Sequence, residues 1–493
     1  MNLSEYFSGF RYLIMRVTRR RQWICASLLS SLLFVPFLFT AAVVADETKT
    51  NVVLILIDDL GWKDLGCYGS QYYKTPHIDR LASEGMRFTD GYAACNVCSP
   101  SRAAILSGKY PARLLLTQWL PSGRWDAKKN KLKEGRYVSN LPLEEITIAE
   151  ALREAGYRTA FMGKWHLGTE TYYYPEHQGF DLNVAGRDYG APGSYFYPFE
   201  GSWRIPTTGQ TLHKKSPLTG KEGDYLPDRL AEEAEQFIRE NVDSPFFLML
   251  SHYAVHTPLQ ARKRVVKKYA DVPKELRQGN PTYAAMVESI DDSVGRIMAT
   301  LKDVNLADQT MIIFTSDNGG NGKVTDHSPL RANKGSNYEG GIRVPFIIKW
   351  HGRVQPGSVS GEPVIGTDIF PTILEATGQP LLPNQHMDGQ SLVPVLTGAD
   401  ALNRSAIFWH YPHYNQHPSA FPSGVVRSGD WKLIEAFESG KLSLYNLAED
   451  IGETNDLSTS QPQKLKALHE ELKTWRRDVG ADPMKINPEY SGG

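Results

Sequence analysis

Five short runs of the chain are almost continuously apolar instead of alternating with polar positions: residues 51–57, 159–162, 245–250, 311–314 and 344–349. Strands buried on both faces read this way, so these runs predict the strands of a parallel sheet. Between them apolar positions recur at helical spacing over 76–84, 146–155, 227–240, 281–301 and 367–377, the first with Thr75 as N-cap and Gly85 as C-cap. Strands alternating with helices predict an α/β domain, assigned here to residues 46–380. Residues 172–203, dense in Tyr, Phe, Gly and Pro, read as a long ordered loop, either a cleft wall or a loop held to the body by its aromatic residues. Pro and Gly accumulate over 378–403 and mark a boundary. Beyond it, short runs at 406–411, 424–427, 431–435 and 442–445 and an amphipathic stretch at 462–479 predict a small α+β domain over 381–493.

Residues 1–45 break this pattern. Arg19, Arg20 and Arg21 precede an uncharged apolar run over 23–45 that closes on Val43-Val44-Ala45 before Asp46-Glu47. That is the layout of a signal peptide and predicts export to a periplasmic, extracellular or lysosome-like space. The run is also long enough to span a bilayer, so an uncleaved N-terminal anchor is the alternative and the one route to a membrane. Met15, followed by basic residues, is a plausible start. No later stretch has the length for a second span.

Composition changes the picture little: 493 residues, 41% hydrophobic and 22% charged, make an ordinary globular chain with room for one large and one smaller domain. The formal net charge is −1, and five arginines fall within residues 1–45, so the remainder is mildly acidic. A nucleic-acid partner is not expected, and an anionic substrate would need a local cluster of cations. Cys25 lies in the leader, which leaves Cys67, Cys95 and Cys98. Three cysteines are too few for a disulfide scaffold, and an odd number in an exported protein flags a thiol with another fate.

Candidate chemistry gathers where the predicted strands end. Asp58-Asp59 follow the first, Lys164 and His166 the second, His252 and His256 the third, Asp317-Asn318 the fourth. In open α/β sheets the carboxyl ends of the strands face one crevice, so these residues are expected to converge. Asp58, Asp59, Asp317 and Asn318 supply hard oxygen ligands suited to Ca²⁺ or Mg²⁺ rather than Zn²⁺. Either Asp pair alone would be an unremarkable turn. Cys95-Asn96-Val97-Cys98 has the spacing of a redox pair, and a disulfide from Cys95 to Cys98 or Cys67 is the plain alternative. Pro100, however, fits the first turn of a helix over 101–107, which places Cys98 just before a helix N-terminus that favours an anion. Arg102 adds a planar fork suited to an oxyanion or a carboxylate.

The run Cys98-Ser99-Pro100-Ser101-Arg102-Ala103-Ala104-Ile105-Leu106-Ser107-Gly108-Lys109 resembles the modification signature of the sulfatases, arylsulfatase-like branch of the alkaline-phosphatase superfamily. Gly156-Tyr157-Arg158-Thr159-Ala160-Phe161-Met162-Gly163-Lys164-Trp165-His166-Leu167 resembles their second signature. Ser107 departs from the more usual Thr. The resemblance spans roughly residues 51–447 and implies a large mixed, mainly parallel sheet flanked by helices, with a smaller C-terminal α+β domain.

It also implies that a formylglycine-generating enzyme oxidises Cys98 to formylglycine, whose hydrate attacks the ester sulfur; the second hydroxyl then drives sulfate out, a step that an ordinary serine could not complete. The metal, Ca²⁺ with Mg²⁺ as the alternative, would be held by Asp58, Asp59, Asp317, Asn318 and the modified Cys98. Arg102, Lys164 and Lys334 would stabilise the sulfuryl group, His256 would protonate the leaving oxygen, and His166 would be the base that collapses the hemiacetal sulfate. Lys334, taken alone, reads as a mobile surface lysine, and His252 as structural. Substrate classes implied by the family are sulfated sugars, sulfolipids and aryl esters; a sulfated carbohydrate is the reading adopted here, with Trp409, His410, His413 and Arg427 as its candidate wall. Two competing readings are a phosphonate monoester or phosphodiester hydrolase of the same superfamily and a non-catalytic binder of sulfated glycans. The second expects losses among Cys98, Arg102, Lys164, His166, His256 and the metal set, and none is lost.

Overall fold

The computed structural model describes residues 49–121, 125–205 and 209–492. The proposed signal peptide therefore lies outside the described residues. In chain order the strands that matter here are β1 (Asn51–Ile57), β2 (Met86–Phe88), β3 (Arg158–Gly163), β4 (Leu182–Val184), β5 (Gly201–Arg204), β6 (Thr211–Lys214), β7 (Phe246–Ser251), β8 (Thr310–Ser316), β9 (Phe346–Lys349), β10 (Ser358–Ser360), β11 (Ile407–Tyr411), β12 (Ser423–Ser428), β13 (Trp431–Ala436) and β14 (Leu442–Asn446). The principal helices are α1 (Pro76–Ser83), α2 (Cys98–Ser107), α3 (Ile148–Glu154), α4 (Leu226–Glu240), α5 (Pro281–Asp303), α6 (Ile369–Ala376) and α7 (Pro462–Asp478).

Eight strands form the main sheet in the order β10-β2-β9-β8-β1-β7-β3-β4. β8, β1, β7, β3 and β4 are parallel. β9 runs antiparallel to both its neighbours, which corrects the expectation that residues 344–349 form another parallel strand. An apolar run covered on both faces carries no sign of its direction, and only a four-residue helix, Glu339–Ile342, lies between it and β8.

Alternate residues of β1 show how the sheet is covered. Val53, Ile55 and Ile57 face a core built with α1, α4 and α5. Val52, Leu54 and Leu56 face a second core with α2, α3 and α6. Helices on both faces are what the continuous apolar pattern demands. Strands β11 to β14 form a four-stranded antiparallel sheet. It shares one core with α7 and with Tyr92, Ala104 and Tyr110 from the larger α/β part.

Helix boundaries moved by a few residues, and one shift matters. α2 begins at Cys98, with Val97 as N-cap, not at Ser101. Pro100 is tolerated because N–H groups of a first turn have no intrahelical acceptor. The stretch over 172–203 is not all loop: β4 within it pairs with β3 at the edge of the main sheet. Among the described residues no helix is long and apolar enough to cross a membrane.

Candidate active site

Register explains the convergence. Ile57 pairs with Ser316, Leu56 with Ser251 and Gly163 with Ser251, so β1, β8, β7 and β3 end at one level. Asp58-Asp59, Asp317-Asn318 and Lys164 follow those ends directly. Gly163 is required at its place: its φ is 103°, and a Cβ there would lie 2.0 Å from the Ser251 carbonyl oxygen. Asp59 and His166 both have φ near 62°, a strained conformation for residues with side chains.

The side chains form a closed charge network. Lys164 Nζ donates to Asp58 Oδ2 at 2.6 Å, and Lys334 Nζ to Asp59 Oδ1 at 2.5 Å. Asn318 Nδ2 donates to the same Asp59 oxygen at 2.7 Å. Arg102 Nε donates to Asp317 Oδ2 at 2.7 Å, while Nη1 reaches the Lys164 carbonyl and Ser251 Oγ. His256 Nε2 lies 3.7 Å from Asp59 Oδ2. All but His256 are almost wholly buried. Burial raises the pKa of Asp58, against the pull of the Lys164 ammonium that keeps it ionised. Asp59, equally buried, is instead held well below the ordinary carboxylate range by Lys334 and His256.

These residues fit a divalent cation. Asp58 Oδ1 and Asn318 Oδ1 are buried oxygens with no donor, a costly arrangement unless something else satisfies them. Ligand atoms of Asp58, Asp59 and His256 lie within 4.8 Å of one another. Three carboxylates already face three cations, so a further double positive charge would leave the site net positive and ready for an anion.

Cys98 and Arg102 stand one turn apart on the same face of α2. Cys98, Cys95 and Cys67 are free, so neither the redox pair nor the disulfide forms. His166 Nδ1 lies 3.4 Å from Cys98 Sγ, and its Nε2 lies 2.6 Å from the Leu120 carbonyl oxygen. A carbonyl only accepts, so Nε2 carries the proton and the Nδ1 lone pair faces Cys98. Burial, with Lys164 nearby, pushes the imidazole pKa well down and keeps it neutral. Burial raises the Cys98 thiol pKa, although Lys164 and Lys334 oppose this.

A cleft of about 690 Å³ opens over this floor, lined by Cys98, Asp59, His166, His256 and Lys334. Its walls come from Trp119 and Leu120, from the 188–193 loop, from β5 and β6, and from Gln416 and His417. Every predicted core residue is thus in one place, and part of the 172–203 stretch does form a wall. His252 is apart from the cleft, with Nε2 against Ser293 Oγ at 3.0 Å. The proposed sugar wall of Trp409, His410, His413 and Arg427 is wrong. All four are buried and turned to other partners: Trp409 to the Ala93 carbonyl, His410 to that of Asp482, His413 to Thr117, and Arg427 to Asp90. Aromatic and cationic residues on a packed sheet serve its core before they serve a ligand. Sequence reasoning missed Ser251, the last residue of β7, although its place at a strand end was a usable signal; Trp119 and Lys214 gave none.

Comparison with known proteins is consistent with this geometry. The profile of the sulfatase family matches residues 50–379, and one described as N-sulphoglucosamine sulphohydrolase, C-terminal, matches residues 332–478. The chain is 33% identical to a sulfatase of Formosa agariphila over 91% of this chain and 92% of that one. It is 32% identical to arylsulfatase A of Homo sapiens, covering 87% and 88%. A solved structure, Ps i-CgsB in complex with k-i-k-neocarrahexaose, superposes with a TM-score of 0.72 at 30% identity, covering 90% of this chain and 94% of that one.

Proposed function

The chain belongs to the sulfatase family and is a hydrolase of sulfate esters, and on that premise we propose that it acts on a sulfated saccharide through formylglycine made from Cys98 and a divalent cation, Ca²⁺ or Mg²⁺. The observation that carries the proposal is the lone pair of His166 Nδ1, aimed at Cys98 from 3.4 Å within a ring of cations. A thiolate is disfavoured at Cys98 because burial raises the thiol pKa, so an unmodified cysteine would make a poor nucleophile there.

Asp58, Asp59, Asp317 and Asn318 would hold the cation, which when bound supplies Lewis acidity toward the nucleophile and the sulfate oxygens. Formylglycine, as its hydrate, supplies two hydroxyls where the thiol had one reactive atom. Arg102, locked by Asp317 and Ser251, fixes the first turn of α2 and adds positive charge beneath the reacting group. Lys164 and Lys334 present ammonium groups to the sulfate oxygens in a water-poor floor, where they act at low dielectric. His166 takes a proton through Nδ1 and holds its orientation through Leu120. His256 donates its Nδ1 proton to the Thr257 carbonyl oxygen at 2.8 Å, so it passes a proton to the leaving alcohol through Nε2 only as the imidazolium, a form that burial opposes and the neighbouring Asp59 favours.

A sulfated saccharide fits the open cleft and the two tryptophans on its walls, and Ps i-CgsB was solved in complex with k-i-k-neocarrahexaose. The test is sulfate release from a panel of sulfated saccharides beside an aryl sulfate, a sulfolipid and matched phosphate and phosphonate esters. Turnover of sulfated saccharides is expected. Release only from the aryl or lipid ester would overturn the substrate class, and a higher kcat/KM on phosphorus esters would overturn the main reaction.

A further inference from the structure

The β5–β6 hairpin overhangs the cleft with one face. Trp203 pairs with Leu212 and Gly201 with Lys214, so Trp203, Leu212 and Lys214 share a face, and all three of those side chains line the cleft. Thr211 and His213 are exposed on the other face. The hairpin is fixed in place: Tyr189 Oη donates to the His213 carbonyl, and Gly193 packs so closely on Gly201 that a Cβ would lie 2.2 Å from the Gly201 nitrogen.

Lys214 is the unusual member of that face. It is only 9% exposed, yet among the described residues no carboxylate lies within ion-pair distance of it. Its ammonium lies over the Trp203 ring, 5.8 Å from the centroid. Asp188, the acid that shares its surroundings, accepts from Tyr174 Oη at 3.4 Å instead. Burial lowers the lysine's pKa to about 8, with Lys164 adding to the effect and the more distant Asp188 opposing it, so the ammonium is still mostly charged near neutral pH. A cation so desolvated and without an acid partner is costly to keep unless an anion meets it. The reacting sulfate is already served by Arg102, Lys164 and Lys334 on the cleft floor.

We propose that Lys214 and Trp203 form a subsite for a second anionic group on the substrate, a sulfate or a carboxylate borne by a saccharide ring that rests on the Trp203 face. This rests on the sulfated-saccharide reading above and narrows it to substrates carrying at least two negative charges. Trp203 supplies a flat apolar surface to the ring and Lys214 a point charge to its substituent. Asp188, which lines the same cleft and shares the surroundings of Lys214, selects against an anion placed on its own side and favours a hydroxyl there.

The test uses three disaccharides of one linkage and one scissile sulfate: the first with that sulfate alone, the second with a further sulfate on the neighbouring sugar, the third with a carboxylate there. Each is measured on the mature wild-type enzyme, on Lys214→Met and on Lys214→Arg. The wild type is expected to prefer a doubly anionic disaccharide at least tenfold in kcat/KM, and whichever of the second and third is preferred identifies the group. Lys214→Met is expected to bring that ratio close to one, and Lys214→Arg to keep most of it. Because the ratio is taken within each variant, partial loss of folded protein cancels. A ratio unchanged in Lys214→Met, or a wild type without preference, would overturn the subsite. An equal loss on all three disaccharides would instead place Lys214 on the scissile sulfate and would also overturn it. No release from any disaccharide by the wild type, beside turnover of an aryl sulfate, would be a failure of the saccharide reading itself.

Discussion

At His166 one backbone carbonyl decides the tautomer, and the tautomer decides what the ring can do to its neighbour. Replacing His166 by Ala is expected to lower kcat by about 10²–10⁴-fold, the usual contribution of a positioned base, with a smaller change in KM. Cys98→Ser tests the nucleophile differently. A serine sulfate has no second hydroxyl to drive release, so rapid-quench kinetics should show at most one sulfate ester cleaved per protein before turnover stalls. His252 is legible in another way. Burial pushes its pKa to about 3 from an ordinary 6.5. The unfolded chain therefore takes up a proton that the native state refuses as pH falls below 6.5, and stability present above that pH is lost down to about 3, at about 1.4 kcal/mol per pH unit for one group. His252→Asn should flatten that acid limb in denaturant melts followed against pH. Of these residues the sequence pattern located His166 and His252 at strand ends. It placed His256 there too, but the role of His256 and the choice of Lys334 came only from the family resemblance, because loop residues obey no periodicity.

Elements place the residues, and close backbone approaches show where the placement is tight. A Cβ on Gly190 would lie 2.6 Å from His166 Cε1 and 2.7 Å from Nε2. Gly190→Ala is thus expected to push the ring off the Leu120 carbonyl, lowering kcat by about 10²-fold, as misplacements of order 1 Å do, while the melting temperature changes little because the loop yields. Gly163→Ala sits on a strand end instead, with a positive φ and a carbonyl in the way; it should destabilise the fold by more than about 2 kcal/mol in chemical denaturation. The strands of the sheet centre were readable because burial on both faces leaves a continuous apolar run. The β5–β6 hairpin was not, since its strands are short and mix exposed polar with half-buried residues over four positions each. Nor could an apolar run reveal that β9 runs against its neighbours.

Across the whole molecule, the C-terminal sheet is held to the catalytic part by buried charge. Lys432 on β13 pairs with Glu339 and Glu453, each at 2.8 Å and each wholly buried. Glu339 also pairs with Arg343, which with Arg427 reaches Asp90. Lys432→Met would leave two buried carboxylates short of a partner and is expected to cost about 3 kcal/mol, read as a lower denaturation midpoint in a single transition, not as separate melting of the small sheet. The composition shift near residue 378 signalled where the architecture changes, but composition cannot show that the two parts share a core. Arg427 is taken up by that charge and Trp409 by the shared core and the Ala93 carbonyl, so neither reaches the cleft. The most direct check on the account as a whole is the mass of the peptide spanning Cys98 in fully active protein from its native source. Conversion to formylglycine predicts a residue about 18 Da lighter than cysteine, as an aldehyde in place of the thiol requires, whereas an unmodified thiol or a Cys95–Cys98 disulfide in that active protein would contradict it.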